Sequence, residues 1–164
     1  MGVHQLILCL GGNLGNKSEI FRETYSLIAY SLGKIMDESP VYQSPPWGFQ
    51  AKNNFWNQVL RIETNLTPED IFKEICTIET HFGRRRNSGR YSSRRMDIDI
   101  LFYDDWIVQT DALTIPHPHI SSRKFVLAPL NDIMPGFKDP VTGKTISELY
   151  AACEDLSEVF RISS

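Results

Sequence analysis

The sequence has few cysteines, no long apolar run and no excess of positive charge. Its three cysteines, Cys9, Cys76 and Cys153, are far apart and form no C-x-x-C pair, which argues against a zinc site or a disulfide framework. No apolar stretch approaches the length of a membrane span, and no basic segment precedes the apolar residues near the N-terminus. The net charge of −3 argues against a general basic surface for binding nucleic acid.

The composition is typical of a globular protein. The 164 residues are 41% apolar and 23% charged, which is enough apolar content for one domain with a substantial core. We find no linker and no internal repeat, so a single domain over residues 1–164 is predicted. We expect it to act as a monomer in the cytoplasm, with reduced thiols and without nucleic-acid or membrane partners.

The hydrophobic pattern predicts an α+β fold. Apolar runs and alternation indicate four main strands, and helical spacing indicates two helices between them. The predicted elements are strand 4–10, helix 17–32 with Gly33 as its stop, strand 34–42, strand 53–65, helix 67–82 capped by Thr67, and strand 96–100. A short strand at 106–108, helices at 121–131 and 146–153 and a weak tail at 154–164 follow. The order β-α-β-β-α-β is that of the ferredoxin-like plan, a four-stranded antiparallel sheet with packed helices and, here, extra C-terminal elements.

A strand with two acidic residues is the clearest chemical signal. Side chains of a strand alternate between faces, so Asp97 and Asp99 share one face while Ile98 and Ile100 point into a core. Two carboxylates this close repel unless a proton or a cation lies between them. Oxygen ligands of this kind suit Mg²⁺, although an ordinary amphipathic edge strand has the same pattern.

Arginine is concentrated just before this strand. Six of the ten arginines fall between Arg84 and Arg95. The planar, permanently charged guanidinium matches phosphate oxygens, so the loop and the acidic strand together indicate a polyphosphate site. A solvated basic loop is the alternative. The glycine-rich segment 11–16 lacks the spacing of a phosphate loop and is interpreted as a strand-to-helix connection.

Two further loops leave their alternatives open. The loop around Trp47 has aromatic side chains that either pack on the core or stack on a planar ligand. His117 and His119 flank a proline. They either belong to an ordinary loop, or one of them contacts a phosphate, or they bind a metal. Asn57 lies among apolar neighbours in a predicted strand, so it must be hydrogen-bonded if it is buried.

These motifs together resemble the 6-hydroxymethyl-7,8-dihydropterin pyrophosphokinases of folate biosynthesis. The resemblance covers roughly residues 5–135. It is carried by the segments LGGNLG (10–15), YQSPPWG (42–48), FWN (55–57), Glu79 with Gly83-Arg84, RRMDIDI (94–100) and IPHP (115–118). It implies an enzyme that transfers pyrophosphate from ATP to the hydroxymethyl group of the pterin and releases AMP.

The resemblance also implies roles for individual residues. Two Mg²⁺ ions would be held by Asp97 and Asp99. The implied catalytic residues are Arg84, Arg94, Asp97 and Asp99. The implied ATP contacts are Glu79, Arg84, Arg86, Tyr91, Arg94, Ile100, Thr114, His117 and Arg123. The implied pterin contacts are Ser44, Pro45, Trp47, Phe55, Asn57, Asp97 and Phe125, with the two phenylalanines on either side of the ring.

Three positions depart from the family pattern. A tryptophan common in the arginine loop is Tyr91 here, a tyrosine found in some relatives is Pro118, and Phe55 replaces a tyrosine. These departures bear on loop closure and ligand packing. RNA-binding modules share this fold plan, so the plan alone does not determine the function. A catalytically silent protein that binds a nucleotide or a pterin is a second alternative.

Overall fold

The computed structural model describes residues 2–45, 54–83 and 95–162, and it has the predicted α+β architecture. The strands are β1 His4–Gly12, β2 Lys34–Glu38, β3 Tyr42–Ser44, β4 Phe55–Thr64, β5 Asp97–Tyr103, β6 Val108–Gln109, β7 Thr114–Ile115 and β8 Phe160–Arg161. The α-helices are α1 Lys17–Ser31, α2 Pro68–His81, α3 Lys124–Ile133 and α4 Ile146–Ala152, and a short 3-10 helix spans Ile120–Ser122.

The main sheet is antiparallel with the order β5-β1-β4-β3-β8, and β2 pairs with β4 beside β3. β6 and β7 form a separate two-stranded sheet. Because β2 and β3 pair with successive parts of β4, they act as one interrupted strand. The four-stranded ferredoxin-like order is therefore confirmed, with β8 added at one edge.

Helices cover both faces of the sheet. On one face, which we call the α1 face, Leu8, Leu60 and Ile98 pack against apolar residues of α1 and α2. On the opposite face, called the α3 face, Ile7 and Val59 pack against α3 and α4. The predicted alternation along β4 and β5 is confirmed, since the buried isoleucines of β5 belong to the α1 face.

Local sequence explains where the helices begin and end. The Asn16 side chain accepts a hydrogen bond from Glu19 N at the start of α1, and Thr67 accepts one from Asp70 N at the start of α2. The segment 11–16 is thus the predicted strand-to-helix connection. Gly33 follows α1, and a Cβ there would lie 2.0 Å from Glu63 O, so a side chain cannot be accommodated.

Three predicted segments differ from the structure. The pattern predicts one strand over 34–42, but its ladder with β4 is interrupted after Ser39, whose N still donates to Val59 O at 2.9 Å, because Pro40 has no N–H to continue it. The 121–131 helix is a 3-10 turn followed by α3. The tail contains β8, which pairs with Tyr42 and Gln43, and a two-residue strand is too short to give a sequence pattern.

Helices long and apolar enough to cross a membrane are absent from the described part of the chain.

Candidate active site

One row of the α3 face brings together residues from four strands. Directly opposed residues of antiparallel strands share a face, and Asp97 of β5 pairs with Gly11 of β1, which pairs with Asn57 of β4 and then Tyr42 of β3. Asp99 lies in the next row, opposite Cys9. The predicted metal ligands and the predicted pterin contact Asn57 are therefore neighbours on one face.

Gly11 keeps the space between Asp97 and Asn57 open. A Cβ at this position would lie 3.1 Å from Asn57 Oδ1, which is closer than ordinary van der Waals contact. The amide oxygen of Asn57 consequently faces Gly11. The absent side chain leaves a shallow floor between the carboxylate on β5 and the amide on β4.

Asn57 is buried and its amide is oriented by a hydrogen bond. Only 3% of Asn57 is exposed, and its Nδ2 donates to Ser44 Oγ at 2.8 Å. This satisfies the sequence requirement that a buried asparagine be hydrogen-bonded. Ser44 pairs with Phe55, so three predicted pterin contacts, Ser44, Phe55 and Asn57, lie together at the end of β3 and β4. Pro45 follows Ser44 and is exposed.

The carboxylates of Asp97 and Asp99 make this face electrically negative. Both residues are half-buried. Burial raises the pKa of the neighbouring Cys9 thiol, and Asp99 and Asp97 raise it further because a thiolate there would meet like charge. Arg123 lowers the same pKa, so its guanidinium acts on the same small region.

Arg123 and Phe125 approach from the start of α3. Arg123 is the residue before α3 and is 6% exposed. Its guanidinium carbon lies 5.7 Å from the centre of the Phe125 ring, and Phe125 packs against the apolar cluster of the α3 face. A predicted phosphate contact and a predicted pterin contact are thereby adjacent.

An open pocket runs along the outer edge of β5. Its volume is about 230 Å³, and it is lined by four predicted residues, namely Asp99, Ile100, Thr114 and His117. Asp99 thus takes part both in this pocket and in the α3 face. The pocket places the predicted nucleotide contacts next to Asp99.

His117 is held in place by two hydrogen bonds. Its backbone N donates to Leu101 O at 3.1 Å, which attaches the loop after β7 to β5. Its Nδ1 accepts from His119 N at 3.1 Å, so Nε2 carries the proton in the neutral ring. These two hydrogen bonds orient the His117 ring. Its N–H donor, Nε2, lies on the side of the ring away from His119 N.

Sequence reasoning missed part of the pocket lining. Phe72 and Ile75 of α2 and Ala112 and Leu113 before β7 also line it. Phe72 and Ile75 lie at helical spacing on one apolar face of α2, a pattern typical of core residues. Helical spacing alone does not distinguish Phe72, which is only partly buried beside the pocket, from the fully buried Ile75.

Several predicted residues lie outside the described part of the chain. These are Trp47 in the segment 46–53, and Arg84, Arg86, Tyr91 and Arg94 in the segment 84–94. Their roles stay predictions. Glu79 is described and lies behind β5, where its Oε2 accepts a hydrogen bond from Ile98 N at 2.8 Å.

The family model of 7,8-dihydro-6-hydroxymethylpterin-pyrophosphokinase (HPPK) matches residues 7–135. The chain is 34% identical to the 2-amino-4-hydroxy-6-hydroxymethyldihydropteridine pyrophosphokinase of Aquifex aeolicus, over 86% of this chain and 87% of that protein. It is also 34% identical to the folic acid synthesis protein fol1 of Pneumocystis carinii, over 90% of this chain. It spans only 20% of that protein's length.

Solved structures agree with the fold. The HPPK-DHPS protein of Plasmodium falciparum superimposes with a TM-score of 0.76 at 18% identity, over 92% of this chain and 43% of that chain. The family match places the chain among transferases of the kinase type. It belongs to the 7,8-dihydro-6-hydroxymethylpterin-pyrophosphokinase family.

Proposed function

We propose that this chain transfers the pyrophosphoryl group of ATP to the hydroxymethyl group of 6-hydroxymethyl-7,8-dihydropterin, giving the pterin diphosphate and AMP. Family membership and near full-length similarity to the Aquifex aeolicus enzyme support this activity. The observation that carries the proposal is the sheet row in which Asp97 and Asn57 flank Gly11. It provides neighbouring sites for a charged and for a hydrogen-bonding substrate.

The two substrates would meet at Asp99. ATP would occupy the pocket along β5, with its base beside Ile100 and Thr114 and its phosphates directed toward His117 and Arg123. The pterin would lie on the α3 face, with its polar edge on Asn57 and Ser44. Phe55 and Phe125 would contact the two faces of its ring.

The donor set fits Mg²⁺. Two half-buried carboxylates share one face of β5, on either side of Ile98. Among the described residues no group of three or more His, Cys, Asp or Glu side chains converges. A pair of carboxylates, completed by water and substrate phosphates, is the usual environment of Mg²⁺. Asp97 and Asp99 would hold two Mg²⁺ ions, whose positive charge would offset that of the phosphates.

The chemistry requires an approach of the alcohol to the β-phosphorus. A new bond forms between the hydroxymethyl oxygen and the β-phosphorus, and the bond from the β-phosphorus to the oxygen of the α-phosphate breaks. AMP departs with that oxygen, and the alcohol proton is released. Asn57 and the two phenylalanines orient the alcohol, and Arg123, with Arg84 and Arg94 as further predicted contacts, holds the phosphate charge.

The proposal extends to a monomeric, cytoplasmic enzyme. The net charge of −3 fits a small anionic substrate better than nucleic acid. Light scattering coupled to gel filtration would test the monomer. A mass of two chains would contradict it.

The products of the reaction test the activity. Purified protein is mixed with MgATP and the hydroxymethyl dihydropterin, and nucleotides are separated by chromatography. AMP in equal amount to pterin diphosphate is expected. ADP would indicate an ordinary kinase, and unchanged ATP would indicate a binding protein. Either outcome would contradict the proposed transfer.

A further inference from the structure

Glu79 occupies a position that is unfavourable for a carboxylate. It lies in the last turn of α2, where a negative charge opposes the helix dipole, and only 1% of it is exposed. A buried carboxylate is costly unless it is hydrogen-bonded or paired. Its place in the fold therefore calls for a physical reason beyond packing.

The carboxylate of Glu79 bonds to the backbone between the two aspartates. Glu79 Oε2 accepts from Ile98 N at 2.8 Å, and Ile98 separates Asp97 from Asp99 in β5. β5 stands at the end of the strand order of the main sheet, so one of its edges faces β1 and the other faces α2 and the loop after β7. Glu79 binds this outer edge.

An end strand is the part of a sheet that opens most readily, because one of its edges has no ladder. A buried backbone N–H on such an edge needs an acceptor, and the Glu79 side chain provides one for Ile98 N at 2.8 Å. The helix that presents Glu79 is itself fixed, since Ile75 and Ile78 are buried in the core. A rigid helix thus anchors the peptide from which both aspartate side chains project.

We propose that Glu79 is a positioning residue that holds the outer edge of β5, so that Asp97 and Asp99 keep the separation needed to bind cations with the nucleotide. The inference rests on the proposed function of the two aspartates. Metal sites depend on such supporting hydrogen bonds, because ligands must be held within about 0.5 Å of the productive geometry. The acceptor oxygen of Glu79 is the feature that matters, rather than its charge.

Three substitutions of Glu79 distinguish the effect of its acceptor oxygen from the effect of its charge. Glu79→Gln keeps an acceptor oxygen at the same reach and removes the charge. Glu79→Met keeps the length and removes the acceptor. Glu79→Asp keeps the charge but is one methylene too short to reach Ile98 N. Glu74→Met, on the same helix but half-buried, is the matched control.

Two measurements report directly on the position of β5 and its two aspartates. Amide exchange of Ile98, followed by NMR in the metal-free protein, reports on the strand edge without any ligand. Titration calorimetry with Mn²⁺ and a nonhydrolysable ATP analogue reports on the paired aspartates. The free energy of unfolding is measured in parallel, so that loss of stability is recorded separately.

Glu79→Gln and Glu74→Met are expected to keep Ile98 protected. Glu79→Gln should retain more Mn²⁺–nucleotide affinity than Glu79→Met, because Glu79 is buried behind β5 and acts through the strand. Glu74→Met should leave that affinity unchanged. Glu79→Met and Glu79→Asp should speed Ile98 exchange and weaken that affinity by about 10-fold or more, as is typical when a supporting partner of a metal ligand is removed. If one of these variants does not fold, the other carries the test.

Three results would overturn the proposal. Ile98 exchange could stay slow in Glu79→Met and Glu79→Asp, or both variants could bind Mn²⁺ and nucleotide normally while losing only stability. Alternatively, Glu79→Gln could lose as much affinity as Glu79→Met, which would make the charge the active feature. Failure of the proposed function is recognised separately, because the unmodified chain would then form no AMP whatever the exchange of Ile98.

Discussion

Single residues decide what the α3 face can hold, and Gly11 is the clearest case. Asp97, Gly11 and Asn57 stand side by side, and the first and third carry the polar groups of the site. The glycine backbone is not in the left-handed region, so its role is one of space rather than of conformation. The missing Cβ of Gly11 therefore leaves room above the sheet beside Asn57.

Gly11→Ala should weaken pterin binding. The new Cβ lies 3.1 Å from Asn57 Oδ1, so the amide must shift away from the pterin edge. We expect KM for the pterin to rise about tenfold, equivalent to about 1.4 kcal/mol, while KM for ATP changes little. Gly136→Ala is the control, because a Cβ there meets nothing within 4 Å. An unchanged KM for the pterin would show that the floor between Asp97 and Asn57 is not used.

Asp97→Asn should abolish most of the activity and leave the fold intact. The amide has nearly the same shape but lacks the charge that binds a cation, and losing one such electrostatic group lowers kcat by about 10²–10³-fold or more. AMP formation and circular dichroism measure the two effects. Asp37→Asn removes a surface ion pair with Arg61 and is the control. Near-normal turnover would exclude Asp97 from the mechanism.

At the scale of elements, the sheet is tied to its helices by polar as well as apolar contacts. Tyr25 of α1 donates a hydrogen bond to Gln58 Oε1, and Gln58 Nε2 donates to Ser39 O at 2.8 Å, between β2 and β3. On the opposite face of the sheet, Tyr42 and Arg161 both bond to Asp132 of α3. These links hold the interrupted strand β2–β3 beside the substrate contacts Ser44 and Asn57.

The Tyr25 link predicts a loss of stability at alkaline pH. Burial and the Glu38 charge raise the pKa of Tyr25 from 10.0 to about 12. Between these values the unfolded chain has released the proton that the folded chain retains, so the free energy of unfolding falls as pH rises from 10 toward 12. Denaturant titrations across this pH range should show that the free energy of unfolding declines less in Tyr25→Phe than in the original chain. An equal decline with pH in both proteins would contradict this role of Tyr25. Tyr30→Phe, which changes an exposed tyrosine, is the control.

At the scale of the whole molecule, the two faces of the sheet differ: one holds the main core, and the other carries the candidate site. The α1 face is a continuous apolar core, while the α3 face is apolar only where α3 and α4 cover it. Beyond the start of α3, the same face carries Asp97, Asn57 and Ser44. That residues 1–164 form one domain stays a prediction.

Ligand binding should stabilise the whole molecule only when a divalent cation is present. A Mg²⁺–ATP analogue at 100 times its Kd adds about 2.7 kcal/mol to the free energy of unfolding, which raises Tm by several degrees. EDTA should remove this increase and leave the Tm of the free protein unchanged, because the described chain provides only a carboxylate pair. A fall in the Tm of the free protein would indicate a structural metal instead.

The sequence by itself determined the elements, the alternation of Asp97 and Asp99 with buried isoleucines, and the helix caps, because these depend on near neighbours in the chain. Family membership was also accessible, since its motifs are local segments. Only the tertiary structure decided that Gly11 separates Asp97 from Asn57, that Phe72 lines the pocket, that β8 pairs with β3 and that Glu79 bonds to Ile98. Those contacts join residues far apart in the chain, so strand register and helix packing set them, and no local pattern encodes either.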